Sequence, residues 1–95
     1  MRTMAQYPFP LGQILLTPGA VAAIQQAEQM PEQLLARHSF GDWGELDAED
    51  WARNTHALEN ALRLLSSYRL RDNTKIWVIT EWDRSSTTIL LPEEY

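Results

Sequence analysis

The last third of the chain restricts the fold more than any other part, because it alternates strand-forming segments with short turns. The segments "LRLLSSYRL", "KIWVITEW" and "TTILL" are rich in β-branched, aromatic and leucine residues. Between them lie "RDNT" and "DRSS", whose Asp, Asn and Ser residues favour turns. Because strands joined by short turns pair with their sequence neighbours, this region predicts a three-stranded antiparallel meander that ends at Pro92.

The residues before the meander predict one strand and three helices. "GQILLT" is a short apolar strand, and the helix after it has Thr17 as its N-cap and Pro18 as its first residue. A second helix, "PEQLLARHS", begins at Pro31, and Asp47 caps a third, "AEDWARNTHALENALR". The predicted apolar stripe of this third helix consists of Trp51, Leu58 and Leu62.

Residues 1–10 are predicted to form an irregular N-terminal arm, because the prolines of "YPFP" remove backbone donors and restrict the residues before them. We expect residues 1–95 to form a single α+β domain. Its order is an N-terminal strand, three helices and the three-stranded antiparallel meander, with the helices packed on one sheet face.

Composition excludes several kinds of site. The chain has no cysteine, which rules out disulfides, thiolate metal sites and Cys nucleophiles. Its two histidines, His38 and His56, have no third metal ligand indicated in the sequence, and no cofactor-binding motif is present. No segment reaches the roughly 20 apolar residues of a membrane span. We therefore expect a cytoplasmic protein with no metal, no cofactor and no membrane contact.

The charge balance bears on the kind of partner. The formal net charge is −5, and the basic residues form no run along the chain. Direct nucleic-acid binding is not expected, since it relies on clusters of Lys and Arg that neutralise phosphates. An acidic protein suits a basic surface instead, so we expect a protein partner, with a nucleic-acid-binding protein as one candidate.

One face of the strand "KIWVITEW" supplies the first candidate partner-binding residues. Strand periodicity places Trp77 and Ile79 on the face opposite Ile76 and Val78, and both faces contain apolar residues. The Trp77 side is either covered by the N-terminal arm or open to a partner, for which a large aromatic residue is a good anchor.

Trp43 lies in the acidic stretch "GDWGELDAED" and is a further candidate for partner binding. The stretch lacks the ligand pattern of a calcium loop. Two interpretations stay open, namely a structured loop pinned by Trp43 and an acidic contact surface.

Four arginines fall in the strand region, and Arg69 and Arg84 among them are candidate binding residues. If they converge on one face, their planar guanidinium groups can bind phosphate. The alternative is salt bridging to nearby acids. The four arginines are Arg63, Arg69, Arg71 and Arg84.

The stretch "EWDRSS" combines Glu81, Asp83 and Arg84, which resembles an acid–base set. Across a turn, such residues more often form exposed pairs and side-chain bonds to the backbone. The serines have no neighbouring base, and both histidines are interpreted as structural or surface residues. We therefore predict no catalytic residue and favour a non-enzymatic protein, with catalysis left open.

Motifs spread over nearly the whole chain carry a resemblance to a protein family. "LGQILLTPGA", "LLARHSFGDWGEL", "LLSSYR" and "WVITEWDRSSTTILLPEEY" resemble a family of small, uncharacterised bacterial proteins of plasmids and other mobile elements. Members are sometimes labelled type I restriction subunit M. That label does not fit this chain, which lacks both a Gly-rich cofactor loop and an "NPPF"-type motif. The resemblance implies a mobile-element setting and no defined activity.

The order of elements is also similar to that of the RelE-type ribonuclease toxins, which work with Arg, Lys and Tyr on their sheet. This topological similarity implies that strand arginines and tyrosines of this chain could take such roles. The residues in question are Arg63, Tyr68, Arg69, Arg84 and Tyr95.

Three functional hypotheses follow. The first is a small acidic, non-enzymatic accessory protein that acts through protein contacts, as a mobile-element regulator or defence modulator. The second is a RelE-like ribonuclease toxin that uses the strand arginines. The third is a homodimeric structural protein whose subunits meet through the Trp77 face.

Overall fold

Four strands form one mixed sheet, with helices on one of its faces. The computed structural model describes residues 7–95, so residues 1–6 of the predicted arm lie outside the described part. The α+β class is confirmed. The elements are β1 (Gln13–Leu16), α1 (Pro18–Gln26), α2 (Pro31–Ser39), α3 (Ala48–Glu59), β2 (Leu64–Arg69), β3 (Lys75–Thr80), β4 (Ser86–Leu90) and a short 3-10 helix (Pro92–Glu94).

The sheet is larger than the predicted three-stranded meander. Its order is β1-β4-β3-β2, and the last three strands are antiparallel as predicted. The complete sheet is mixed and four-stranded, because the predicted N-terminal strand, β1, adds to β4 in parallel, from the pair Gln13–Ser86 to the pair Leu16–Ile89. The free edge of β4 offers backbone partners to β1, and the intervening helices supply the long crossover that a parallel pair requires.

Local signals set the helix starts. The Thr17 Oγ1 atom accepts a hydrogen bond from the Ala20 amide at 3.1 Å, and the Asp47 Oδ1 atom accepts one from the Asp50 amide at 2.8 Å. Both predicted N-caps are thus confirmed. The third helix stops at Glu59, before the end of its predicted run.

The helix α3 turns a different side to the protein from the one predicted. Trp51 and Leu62 are 37% and 48% exposed, so the predicted apolar stripe is wrong at these two positions. Its third member, Leu58, is half-buried and packs against the core. The buried residues of α3 are Asn54 and Ala57. The cause is hydrogen bonding, because the Asn54 side-chain amide donates to the Leu65 carbonyl and accepts from the Leu65 amide, which holds α3 against the outer edge of β2.

The loop before α3 covers the rest of that edge. The Ser67 amide donates to the Trp43 carbonyl at 3.1 Å, and the Glu45 amide donates to the Ser67 carbonyl. Gly44 makes this approach possible, since its φ is +76° and a β-carbon there would lie 2.0 Å from the Ser67 carbonyl oxygen. The backbone amides and carbonyls of Leu65 and Ser67, which point away from β3, therefore all have hydrogen-bond partners.

Two apolar clusters lie between the helices and the sheet. The larger joins α1 and α2 to β2, β3 and β4. The smaller contains Phe9, Trp43, Ala57 and Leu64. Because Phe9 is buried beside Trp43, residues 7–10 of the arm pack on the helix side and not over Trp77. No helix in residues 7–95 is long and apolar enough to span a membrane.

Candidate partner-binding face

The sheet face opposite the helices carries Trp77, and we call it the Trp77 face. The strand register assigns residues to it, because side chains paired across neighbouring strands share a face. The residues of the Trp77 face are Gln13, Leu15, Leu65, Ser67, Arg69, Lys75, Trp77, Ile79, Ser86, Thr88 and Leu90.

An apolar groove of about 250 Å³ crosses this face, and we call it the Trp77 groove. It is lined by Arg63, Leu64, Leu65, Trp77, Ile79 and Tyr95. A second groove of about 240 Å³ shares Arg63 and Leu65 with it and continues toward Asp50 and Arg53 of α3. Trp77 and Ile79, both predicted from the sequence as partner-binding residues, thus line the same groove. Trp77 is half-buried, and Ile79 forms part of the floor.

The C-terminal tail forms one wall of the Trp77 groove. The Tyr95 and Trp77 rings meet edge to face, with centroids 5.8 Å apart. Arg63 donates from Nη1 to the Tyr95 hydroxyl at 2.8 Å and lies over the same ring at 5.2 Å. The tail is therefore docked against the sheet, although Tyr95 remains 68% exposed.

Glu94 anchors the tail at the start of α1. Its carboxylate accepts from the Thr17 hydroxyl at 2.5 Å, from the Leu91 amide at 2.8 Å and from the Gly19 amide at 3.1 Å. The Thr17 hydrogen bond, followed by the backbone donors, lowers the pKa of the Glu94 carboxyl below its usual value. The tail is thus held at two points, by Glu94 and by Tyr95.

The strand arginines do not converge. Arg63 and Arg69 stand at opposite ends of β2, six residues apart, which corresponds to about 20 Å at roughly 3.4 Å per strand residue. Arg63 pairs with Glu81 at 3.6 Å, and Arg69 pairs with Glu45 at 2.9 Å. The arrangement therefore offers no shared phosphate site, and the separated arginines give no support to the toxin hypothesis.

Tyr68, another residue of that hypothesis, is fully buried. Its hydroxyl donates to the Asp42 carbonyl at 2.5 Å, and burial raises the pKa of the phenol. In this position it contributes to the core and does not reach a sheet surface.

Arg84 has an intramolecular role that the sequence did not reveal. Its Nη1 atom donates to the carbonyls of Leu62 at 2.6 Å and Glu81 at 3.0 Å, and its Nη2 atom donates to the Ala57 carbonyl at 3.2 Å. Burial lowers the pKa of its guanidinium group. Arg84 thus ties the end of α3 to the β3–β4 turn on the helix side, away from Trp77.

Trp43 is fully buried and pins the loop before α3, which is the first of its two sequence interpretations. In this conformation its ring offers no surface to a partner. Of the five predicted binding residues, Trp77, Ile79 and Arg69 share the Trp77 face, whereas Trp43 and Arg84 lie on the helix side.

On the helix side, a series of buried, hydrogen-bonded side chains surrounds His38. Among the described residues, this series most resembles a catalytic nucleophile–base pair. The Ser66 hydroxyl lies 2.5 Å from His38 Nδ1, and the Thr80 hydroxyl lies 2.9 Å from His38 Nε2. Thr80 contacts the Thr87 hydroxyl at 2.7 Å, and Thr87 donates to the Leu11 carbonyl at 2.7 Å.

The direction of each hydrogen bond in this series follows from its last member, because the Leu11 carbonyl can only accept a hydrogen bond. Thr87 therefore accepts from Thr80, and Thr80 accepts from the Nε2–H of His38. The Nδ1 atom of His38 is then left to accept from Ser66. The ring is neutral, and each of its nitrogen atoms has a partner.

His38 is inaccessible as a catalytic base. Its side chain is 0% exposed and meets the rings of Phe9 and Trp43 edge-on. Burial, with a smaller effect of the Arg84 charge, lowers the pKa of His38 to about 3. The Ser66–His38 pair is thus part of the core, which agrees with the structural interpretation of this histidine.

Within residues 7–95, no group of three or more His, Asp or Glu side chains is close enough to hold a metal ion. Comparison with protein-family models, curated proteins and solved structures finds no match for this chain.

Proposed function

We propose that this protein is a non-enzymatic binding module whose Trp77 groove receives an extended, acidic segment of a protein partner. The observation that carries the proposal is the groove itself, which has an apolar floor and an arginine at its rim. Its volume of about 250 Å³ is below the roughly 300–1,000 Å³ of small-molecule sites, so it suits one or two side chains of a peptide.

Individual basic side chains on this side of the sheet support an acidic occupant. Arg63, Arg69 and Lys75 lie on or beside the Trp77 face, where Glu81 and Glu45 pair with the two arginines. The tail adds Glu93 and Glu94 beside the groove, so the region as a whole has no excess of positive charge. A carboxylate of the partner would instead be bound singly, by Arg63 at the rim of the groove or by Lys75 farther along the face.

The tail of the protein indicates which side chain the groove accepts. Glu93, Glu94 and Tyr95 form an acidic-aromatic sequence, and the phenol ring already lies between Trp77 and Arg63. A partner segment with an aromatic residue beside carboxylates would use the same contacts. The adjoining groove along Leu65 gives such a segment room to continue toward α3.

The wider biological setting belongs to the same proposal. The resemblance to mobile-element proteins suggests a regulator of a host protein or a modulator of defence. The negative charge outside the Trp77 face would suit a partner that also carries a nucleic-acid-binding surface. Burial of the Ser66–His38 pair supports a binding role, because it removes the nearest nucleophile–base geometry from contact with substrates.

A displayed peptide library, followed by calorimetry on the enriched sequences, tests the proposal. We expect acidic peptides with one aromatic residue to bind, and Trp77→Ala to weaken them substantially. An aromatic side chain that buries about 100 Å² of apolar surface contributes roughly 2.5 kcal/mol at 25 cal/mol/Å², equivalent to about 70-fold in affinity.

Trp82→Ala is the matched control, because Trp82 is 63% exposed and does not line the groove. Its affinity for the same peptides should stay within about twofold of wild type. The proposal fails if no acidic-aromatic peptide is enriched, or if the two tryptophan variants lose affinity equally.

A further inference from the structure

The outer edge of β1 is the open edge of the sheet, in contrast to the covered edge of β2. The Gln13 and Thr17 amides donate to the Ser85 and Ile89 carbonyls, at 3.0 and 3.1 Å. Alternate residues of a strand point their backbone groups the same way, so Ile14 and Leu16 direct theirs away from β4. Within residues 7–95, no strand pairs with this edge.

The side chains along this edge are apolar and exposed. Ile14 is 37% exposed and Leu15 42% exposed, and Val21 on the neighbouring helix α1 is 40% exposed. Natural proteins usually protect an open edge with charges, Pro or a bulge. The stretch from residue 7 to residue 27 contains no charged residue, so no charged side chain of β1 or α1 protects this edge.

We infer that this edge pairs with the same edge of a second copy, in an antiparallel and two-fold symmetric dimer. A second copy presents the identical unpaired strand, so each edge supplies the backbone groups that the other edge lacks. Each copy has a formal net charge of −5, so two copies repel unless they meet through an uncharged surface. The strand "QILL" and the helix "PGAVAAIQQ" together form such a surface.

The backbone geometry is self-complementary. When the two-fold axis passes beside Leu15, Ile14 of each copy faces Leu16 of the other, and the outward amide and carbonyl groups form four hydrogen bonds. Leu15 then faces Leu15 of the second copy as a non-hydrogen-bonded pair, with Cα atoms roughly 4.5 Å apart. The two sheets become one continuous sheet of eight strands, twice the four of one copy.

Helix α1 enlarges the contact beyond the strand. A two-fold axis perpendicular to the sheet keeps both helix layers on the same side, so the two α1 helices flank the junction. A stable interface buries on the order of 1,200 Å² or more, which a four-residue strand does not reach alone. The exposed side of α1, at Pro18, Val21 and Ala22, supplies further uncharged area.

The absence of cysteine allows a direct test by cross-linking. In Leu15→Cys, the two introduced cysteines face each other across the two-fold axis. The separation of their Cα atoms then falls near the range of roughly 4.4–6.8 Å that a disulfide requires. We expect rapid formation of a covalent dimer under mild oxidation. Trp82→Cys, at another exposed position, should cross-link slowly. Equal rates for the two variants would overturn the inference.

A charge-swap experiment distinguishes this symmetric pairing from other contacts. Leu15→Lys and Leu15→Glu should each weaken the dimer by on the order of 10–100-fold, because like charges then face each other across the axis. A mixture of the two variants should restore a dimer, as measured by light scattering after size exclusion. Unfolding curves confirm that each variant folds.

The remaining outcomes also decide the matter. A wild-type protein that stays monomeric at the highest attainable concentration, or a mixture that fails to restore the dimer, would overturn the inference. Trp77→Ala should leave the dimer intact, because Trp77 lies two strands away from β1. Its conversion to monomer would instead favour a dimer through the Trp77 face.

Discussion

The buried His38 makes the stability of this protein depend on pH in a defined window. Its pKa is about 3 in the folded state, compared with 6.5 for an unperturbed histidine. Because the folded pKa is the lower one, the unfolded chain binds the proton first. Stability is therefore fully present above pH 6.5 and is lost as the pH falls from 6.5 toward 3.

The size of the loss follows from the pKa difference. Each pH unit within the window costs about 1.4 kcal/mol, so the free energy of unfolding should fall by about 3 kcal/mol between pH 7 and pH 4.5. The whole window represents roughly 5 kcal/mol, comparable with the total stability of a small domain. The pKa values of the Glu94 and Asp42 carboxyls are lowered from 4.5 and 3.8, so their protonation removes further stability as the pH falls below those values.

Urea unfolding of wild type, His38→Gln and His56→Gln at pH 7, 5.5 and 4.5 measures this effect. His38→Gln should be about 1–3 kcal/mol less stable at pH 7, because its amide replaces the imidazole hydrogen bonds imperfectly. Its stability should then change little down to pH 4.5. His56 is exposed, so His56→Gln should follow wild type. A flat wild-type profile, or a His38→Gln profile parallel to wild type, would refute the reasoning.

The covered edge of β2 provides two further predictions, both measured by chemical denaturation. Gly44→Ala should lose at least about 2 kcal/mol, because a left-handed backbone and a collision with the Ser67 carbonyl combine. Gly19→Ala would displace the Glu94 carboxylate that anchors the tail, but it should lose less, because its methyl meets a side chain and no backbone atom. Equal losses would contradict this account. Asn54→Ala should lose about 2–4 kcal/mol by leaving both Leu65 backbone groups unpaired. Asn54→Asp should lose at least as much, because its carboxylate still accepts from the Leu65 amide but faces the Leu65 carbonyl oxygen without a proton to donate. A loss below 1 kcal/mol in Asn54→Ala would argue against this function of the side chain.

The sequence was sufficient for features that depend on neighbouring residues. The Thr17 and Asp47 caps and the meander turns were predicted correctly, because each is built from side chains a few positions apart. The Trp77 face could also be read from strand alternation. Its openness could not, since that depends on which way the helices and arm pack.

Features that depend on distant residues escaped prediction. The pairing of β1 with β4 joins two ends of the chain, and no local pattern specifies it. Asn54 overrides the apolar stripe of α3 through bonds to a strand that follows later in the sequence. The strand serines and threonines that contact His38 carried a weak signal, because polar residues at core-facing strand positions require a buried partner.

The parallel pairing of β1 also affects how the chain acquires its fold. The hydrogen bond from Thr87 to the Leu11 carbonyl joins residues 76 positions apart, and β1 meets β4 over a similar distance. On the ribosome, the apolar strand "QILL" must wait until nearly the whole sheet has been synthesised. Contacts of such long range close slowly, so β1 stays open to chaperones and to misassociation until late in folding.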